Sequence, residues 1–370
     1  MKRRYKWLAG VFGIAAVAVA GFAIVLARNA PCGSAPALPP DAVPMRAAAY
    51  YCYGGPEVIR VAATSRPAVA PDRVLVRVQA AALNPLDKHY LRGTPYLLRL
   101  SAGLGRPQDS RMGVDFAGTV ESVGSAVTRF KPGDVVFGGA DGAFGEYVSV
   151  REGGSIARVP AGVAPEQAAA LPIAAVTALQ ALRDHGRLAP GQRVLVNGAS
   201  GGVGHFAVQL AKAMGAHVTA VCSTRNVEMV RALGADAVID YTREDFTAGA
   251  QRYDLIIDSI GNHSRIALRR VLTPDGVHVQ VGQAGMGHWI DPLLRPLGAL
   301  VWSQFTSQRW EFMLASIEAR DLDYLAQQMA GGRLRAVIDQ RYALAELPEA
   351  IRYLETGRVR GKLLLDLGAP

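Results

Sequence analysis

The stretch "NGASGGVGHF", residues 197–206, follows directly on the apolar run "RVLV" and packs four glycines between 197 and 204. A turn so bare of side chains leaves its main-chain amides open. Set between a strand and a helix, it is suited to the pyrophosphate of a dinucleotide, which meets free N–H groups and the positive end of the helix dipole. Gly201 lets the backbone approach the phosphates and Gly204 lets the helix pack on its strand; Ser200 either donates to a phosphate or caps the helix. Ala199 replaces the first glycine of the GxGxxG pattern, and the flanking strand and helix restore the match. A purely structural glycine turn is the competing reading. About 20 residues on, a binder of unphosphorylated dinucleotide carries a carboxylate for the ribose hydroxyls. Here the chain reads "VCSTRN": Ser223, Thr224 and Arg225 offer hydroxyls and a guanidinium, which suits a 2′-phosphate. NADPH is the expected cofactor, unless Arg225 is only a surface residue of the next helix. A second set of chemically able side chains, Asp87, Lys88, His89 and Tyr90, closes or follows "NPLD" at 84–87.

These residues need elements to hold them. From Met45 to about Val150, short β-branched runs punctuated by Gly and Pro predict a largely antiparallel β unit. Helical spacing begins near Pro165 in "PEQAAALPIAAVTALQALRDHG". Residues 193–282 alternate strand and helix with apolar strands, which predicts a parallel sheet covered on both faces. The tail, "LAELPEAIRYLETG" and "KLLLDL", fits neither neighbour as a separate domain and is expected to return to the first unit.

The chain has 370 residues, half of them hydrophobic, too many for one ordinary core. Its formal charge of +9 comes from scattered arginines without a long basic run beyond the N-terminus, so no nucleic-acid partner is expected. Cys32, Cys52 and Cys222 are read as an odd, widely spaced set that forms neither a metal knuckle nor a disulfide framework. Residues 7–27 carry no charge and are long enough to span a bilayer as a helix, so a single-pass N-terminal anchor in the lipid bilayer is expected, with a cleaved signal segment as the rival. Basic residues ahead of the span place the N-terminus in the cytosol and export the main domain, at odds with a cytosolic NADPH supply, so the side of the membrane stays open. The Pro- and Ala-rich stretch 31–44 reads as a tether.

With these residues placed, the chain resembles the zinc-free, quinone oxidoreductase-like branch of the medium-chain dehydrogenase/reductases. The resemblance rests on "YGGPEVI" (53–59), "NPLD" (84–87), "GVDFAGTV" (113–120), "FKPGDVVFG" (130–138), "AFGEYV" (143–148), "LPIAAVTALQAL" (171–182), "GASGGVG" (198–204), "LGADAVIDY" (233–241) and "GRVRGKLLLDL" (357–367). It implies an α/β fold in which a GroES-like β domain, residues 45–165 and 311–370, is interrupted by a doubly wound Rossmann domain at 166–310; the anchor or signal segment at 1–30 and the tether at 31–44, read from hydropathy and composition, precede it. The nicotinamide is then expected in the cleft between the domains. By resemblance, Ser200, Gly202 and Val203 meet the pyrophosphate, and Ser223 and Tyr241 the adenosine phosphate end. Asn84, Thr177, Ser259 and Gly282 lie near the nicotinamide, and Arg358, Arg360 and Lys362 close from the C-terminal side. Zinc members of the wider family carry a Cys near Asn84 and Gly-His-Glu where this chain reads Gly113-Val114-Asp115, so no zinc is expected.

Without a metal, an isolated ketone would leave full charge on one oxygen, whereas an enone or quinone spreads it. A conjugated carbonyl is therefore the expected small-molecule substrate, with His89 binding its oxygen or delivering a proton and Asn84 orienting the cofactor. Trp289, Trp302 and Trp310 fall within residues 287–310, read as core, as a subunit interface of a homodimer, or as an apolar gateway together with residues 95–104. A cofactor-binding scaffold or redox sensor and a zinc alcohol dehydrogenase are the rival functions.

Overall fold

The computed structural model describes residues 18–282, 287, 289, 298, 302 and 306–368. The β unit opens with a ribbon of β1 (Pro44–Ala49) and β2 (Arg60–Ser65). Five further strands follow: β3 (Arg73–Leu83), β4 (Asp115–Val123), β5 (Val135–Gly139), β6 (Tyr147–Arg151) and β7 (Ile156–Arg158). β3 is the hub, antiparallel to both β4 and β6, and its inward residues Val74, Val76, Val78 and Ala81 are almost wholly buried. Strand alternation of this kind buries one face of the sheet and leaves the other for a second layer.

The nucleotide-side sheet is parallel throughout the described residues. Its strands are β8 (Arg193–Asn197), β9 (His217–Cys222), β10 (Ala237–Asp240), β11 (Tyr253–Asp258), β12 (Leu272–Gln280) and β13 (Arg309–Phe312), in the order β10-β9-β8-β11-β12-β13. Strand order reverses between β8 and β11, so the crevice at their carboxyl ends is the switch point where such sheets take ligands. The helical run expected from Pro165 is two helices, Pro165–Ala169 and Pro172–Gln180. Pro172 explains the break: it lacks the N–H that a continuing helix needs and instead begins the next one. Helix Gly204–Ala213 is buried along almost its whole length between sheet and neighbouring helix, which is why Phe206, Ala207, Val208 and Leu210 show no polar face.

The chain then returns. β14 (Ile338–Ala343) and β15 (Lys362–Asp366) join the first sheet, β15 pairing antiparallel with β3 from Leu363 opposite Leu83 to Asp366 opposite Ala80. The amphipathic helix Leu347–Glu355 buries Leu347, Ala350 and Ile351 in the same core. The chain thus leaves the β unit after β7, at one end of the sheet order, and re-enters through β14, at the other.

Two expectations are corrected here. Among the described residues no helix is long and apolar enough to cross a membrane. Residues 7–17 lie outside the described residues, and 18–27 form a helix that, at a rise of about 1.5 Å per residue, covers only about half of a hydrocarbon core. That helix ends against the folded domain: Leu26 is 2% exposed, and the Arg99 guanidinium donates to the carbonyls of Leu26 and Arg28. A transmembrane helix, a membrane localisation and the bilayer as partner are therefore not supported. Uncharged sequence was read as lipid-facing, while its last turn packs on protein. The cysteine reading also fails, because Cys32 and Cys52 form a disulfide with Cα atoms 4.5 Å apart, and Cys222 is free and buried. The tether doubles back onto the β unit, a tertiary fact that cysteine spacing does not carry.

Candidate functional site

Gly198 makes the turn after β8, with φ +85°, and its N–H and that of Ala199 both donate to Val221 O on β9. The first structurally required glycine is thus Gly198, one residue before the Ala199 position at which the GxGxxG frame was tested. Gly204 is the second: a Cβ there would lie 2.1 Å from Gly198 O, so only glycine lets the helix sit on its strand. Gly201 and Gly202 differ. A Cβ at Gly201 would approach nothing nearer than Gly198 O at 3.4 Å, and one at Gly202 nothing nearer than Gly361 O at 3.5 Å. Protein packing does not demand glycine at these two positions, so their bareness serves what lies above the turn. His205 braces the loop by donating from Nδ1 to Gly201 O (2.9 Å), and burial pushes its pKa down to about 4, so the ring is neutral. Val203 is the N-cap of the helix.

At the end of β9, Asn226 is 4% exposed and donates from Nδ2 to Ser200 Oγ (3.0 Å) and Ser223 Oγ (3.2 Å), joining the glycine loop to the adenosine side. Arg225 is exposed and reaches across to donate to Arg358 O. Arg360 is fixed by its N–H to Asp339 Oδ2 (3.0 Å), and Tyr241, 61% exposed, follows β10 with its N–H on Cys222 O. The nearest strand-end carboxylate, Asp240, is occupied by the hydroxyls of Thr224 (2.5 Å) and Thr242 (2.8 Å).

The third group joins the two lobes. Lys362, at the head of β15, places Nζ 2.6 Å from Asn84 Oδ1 and 3.2 Å from Asp115 Oδ2, and Asn84 Nδ2 donates to the same Asp115 oxygen at 2.9 Å. The other Asp115 oxygen accepts the N–H of Ile173 (3.0 Å) at the start of helix Pro172–Gln180. Exposures of 2% for Asn84, 0% for Asp115 and 3% for Lys362 make this a dry cluster. Burial pushes the Asp115 carboxyl up against the pull of Lys362, Asn84 and the Ile173 amide. Gly361 N–H donates to Ser200 O (2.8 Å), so the cluster and the glycine loop share a peptide edge. Thr177 lies one turn along from Ile173, its hydroxyl donating to Ile173 O. Asp87 accepts the Asn84 N–H at 2.7 Å, and burial raises its pKa to about 7. His89 stands apart from the cluster: its Nδ1–H donates to Thr94 O (2.9 Å), and burial together with Lys88 lowers its pKa. A neutral His89 therefore presents only a lone pair at Nε2.

At the switch point Asp258 Oδ1 accepts from Asn197 Nδ2 (2.9 Å), Ile260 N–H and Gly261 N–H, and Oδ2 lies 3.2 Å from His278 Nε2. Burial pushes that carboxyl up, but His278 and the two amides outweigh it and hold it below the usual range. The turn so fixed carries Ser259, and Gly282 fits against it because a Cβ there would lie 2.8 Å from Ser259 O. Around this crevice Ser259 Oγ, Asn226 Oδ1, His205 Nε2 and Arg360 Nε are buried without a hydrogen-bond partner. Bare glycines beneath and unmatched polar atoms around fit a dinucleotide. Of the tryptophans, Trp310 is buried in β13 against His278 and Trp302 is partly buried beside it, while Trp289 meets Tyr96. Most of residues 283–305 lies outside the described residues.

Residues 70–161 match the alcohol dehydrogenase GroES-like domain and residues 233–365 the zinc-binding dehydrogenase family. A trans-enoyl reductase of Aspergillus terreus is 35% identical over 322 residues, covering 81% of this chain and 87% of that protein. The mitochondrial NAD(P)H oxidoreductase of Mus musculus is 32% identical, with 85% of this chain and 87% of that one covered. The solved quinone oxidoreductase of Coxiella burnetii is 32% identical, covers 88% of this chain and 100% of its own, and superposes with a TM-score of 0.78. The chain belongs to the quinone oxidoreductase-like medium-chain dehydrogenase/reductases. It is an oxidoreductase that uses a nicotinamide cofactor. Sequence reading of this family member missed Gly198, Asp115, Asn226, His205 and Asp258 as site builders. A charged residue inside the apolar run "GVDFAG" was the available signal for Asp115; Asn226 had none.

Two outcomes are expected. Gly204→Ala should lose about 2 kcal/mol of stability in urea unfolding through overpacking, whereas Gly201→Ala should stay within about 1 kcal/mol yet weaken cofactor binding roughly tenfold; equal stability losses would remove the distinction drawn between the two glycines. For Asp87, the folded-state pKa is raised from 3.8 to about 7, so its favourable contribution is complete below about pH 4 and is lost as pH rises to 7. Asp87→Asn should reduce the fall in unfolding free energy between pH 5 and pH 8 by about 2 kcal/mol. An unchanged slope would show that the carboxyl ionises normally.

Proposed function

We propose that this oxidoreductase transfers a hydride from NADPH to a conjugated carbonyl acceptor, an enone or a quinone, without a catalytic metal. The observation that carries the reading is the Asn84–Asp115–Lys362 cluster. Both Asp115 oxygens and the Asn84 amide oxygen are committed to protein donors, and the cation among them is the ammonium of Lys362. Buried and already gathered around a cation, these groups make a poor ligand set for a metal. Charge arising on the acceptor must then be handled by conjugation and hydrogen bonds, which an enone or quinone allows and an isolated ketone resists. The trans-enoyl reductase and the quinone oxidoreductases among the relatives are consistent with that chemistry.

The residues divide the work. Amides of Ser200, Gly202 and Val203 receive the pyrophosphate over the helix that begins at Gly204, while the Gly201 N–H closes the turn on Gly198 O. Ser223, Arg225 and Tyr241 receive the 2′-phosphate end, Arg225 as a charge-assisted donor. Arg358 and Arg360 close over it. Thr177, Ser259 and Gly282 line the nicotinamide end, and the Ile173 N–H on Asp115 ties the Asn84–Asp115–Lys362 cluster to the nucleotide side. Bound there, the reduced nicotinamide supplies the hydride. His89 faces the acceptor side as a lone-pair acceptor at neutral pH and delivers a proton only in its charged form, which its lowered pKa confines to acid conditions.

Steady-state rates with NADPH and NADH against a panel of enones, quinones and simple ketones test this reading. NADPH should be preferred and simple ketones inert. Arg225→Ala should raise the KM for NADPH roughly tenfold while that for NADH moves less than about twofold; preference for NADH, or no turnover with any conjugated acceptor, would overturn it. His89→Gln should lower kcat at pH 7.5 by no more than about threefold. A loss of a hundredfold or more would instead make His89 the neutral-pH proton donor.

A further inference from the structure

Arg99 is 2% exposed, yet its partners are carbonyl oxygens and rings rather than a carboxylate. Its Nη1 donates to Leu26 O (2.9 Å) and Arg28 O (3.1 Å), at the C-terminal end of the helix at 18–27. Its Nε donates to Gly93 O (2.8 Å) and its Nη2 to Arg92 O (3.4 Å), at the C-terminal end of helix Pro85–Arg92. Two helix ends, each the negative pole of its dipole, converge on one guanidinium. The guanidinium also lies over the rings of Tyr53 (4.4 Å) and Tyr96 (4.8 Å). Two more bonds stitch the same N-terminal stretch down, Ala30 N–H to Gly105 O (2.8 Å) and Gly33 N–H to Tyr51 O (3.2 Å), and the Cys32–Cys52 disulfide locks it one residue from Tyr53.

The loop so gripped runs from Thr94 to Gly105. It supplies the carbonyl that orients His89, and its Tyr96 ring meets Trp289 edge-on, with centroids 4.6 Å apart. Trp289 belongs to the other lobe, a few residues beyond Gly282 at the nicotinamide end. One aromatic contact thus joins the Thr94–Gly105 loop to a residue that follows the parallel sheet's β12 in sequence.

We infer that Arg99 is a positioning residue for the acceptor: with the N-terminal stretch 26–33 as its brace, it holds the Thr94–Gly105 loop so that Tyr96 and Trp289 form a fixed aromatic wall suited to flat, ring-bearing acceptors. The inference rests on the proposed reduction of conjugated carbonyls and adds the residue that sets the preference between flat, ring-bearing acceptors and short open-chain ones. The disulfide keeps the brace in place, and a dithiol that gives it two electrons and two protons, closing to its own disulfide, releases it.

The test uses the full chain, menadione and but-3-en-2-one as the two acceptors, and amide hydrogen exchange as a readout independent of turnover. Arg99→Gln should raise the KM for menadione about fivefold or more while the KM values for NADPH and but-3-en-2-one stay within about twofold. Exchange should quicken over residues 93–105 and not over 198–204. Dithiothreitol should reproduce the exchange change in the native chain and have no effect on Cys32→Ser/Cys52→Ser, which should already show it. Trp289→Leu, outside the brace, should raise the menadione KM without altering exchange at 93–105, and serves if Arg99→Gln does not fold. Parallel KM changes for both acceptors, or for NADPH, would overturn the specificity role; exchange unchanged by both reduction and the cysteine pair would overturn the brace. If no acceptor turns over, the proposed function has failed, and the exchange measurements alone decide for or against the brace.

Discussion

Everything in the site depends on one buried ammonium. Lys362 sits in a place almost free of water, where its charge is met by Asp115 and the Asn84 amide. A charge so placed is costly unless it is paired and hydrogen-bonded, and here it is: Lys362 meets Asp115 and Asn84, Asp115 takes three donors, and Asn84 both gives and accepts. The participants come from the end of β3, the start of β4, the start of β15 and the first turn of a helix on the nucleotide side. Removing one partner leaves its opposite charge stranded, so the joint is all-or-none. Its reach to the nucleotide side is the Ile173 N–H on Asp115.

The same logic of matched polar groups runs along the carboxyl ends of the parallel strands. Asp258 gathers Asn197, His278 and two amides, while Asn226 links Ser200 to Ser223. Each network sets a loop, and each loop presents atoms to the crevice. The matching is incomplete at Ser259 Oγ, Asn226 Oδ1, His205 Nε2 and Arg360 Nε, which are buried without a hydrogen-bond partner. Order in the surroundings and lack of partners at the centre are two sides of a preorganised binding site.

Local patterns made much of this legible in sequence. Alternating apolar runs foretold the parallel sheet, and the glycines at 198–204 foretold a tight strand-to-helix turn, because periodicity and glycine content act within a few residues. Asn84 and Lys362 were named, but their meeting was not readable: they lie 278 residues apart, and Lys362 is 247 from Asp115. Arg99 escaped notice since carbonyl partners leave no trace in composition. The N-terminal apolar run misled for a related reason. Hydropathy says that a segment avoids water and is silent on whether lipid or protein shelters it; Leu26 is sheltered by protein. Cys32 and Cys52 likewise meet only because the chain doubles back.

The return of β15 to the edge of β3 has a consequence for biosynthesis. The lobe begun first is closed last, after the whole nucleotide-binding sheet has been made. Until the ribosome has released Lys362, the Asp115 carboxyl lacks its cationic partner and the Asn84 amide oxygen its donor. Competence to act is thus conferred near the close of translation, and an interrupted chain that stops short of β15 is left an inert fragment.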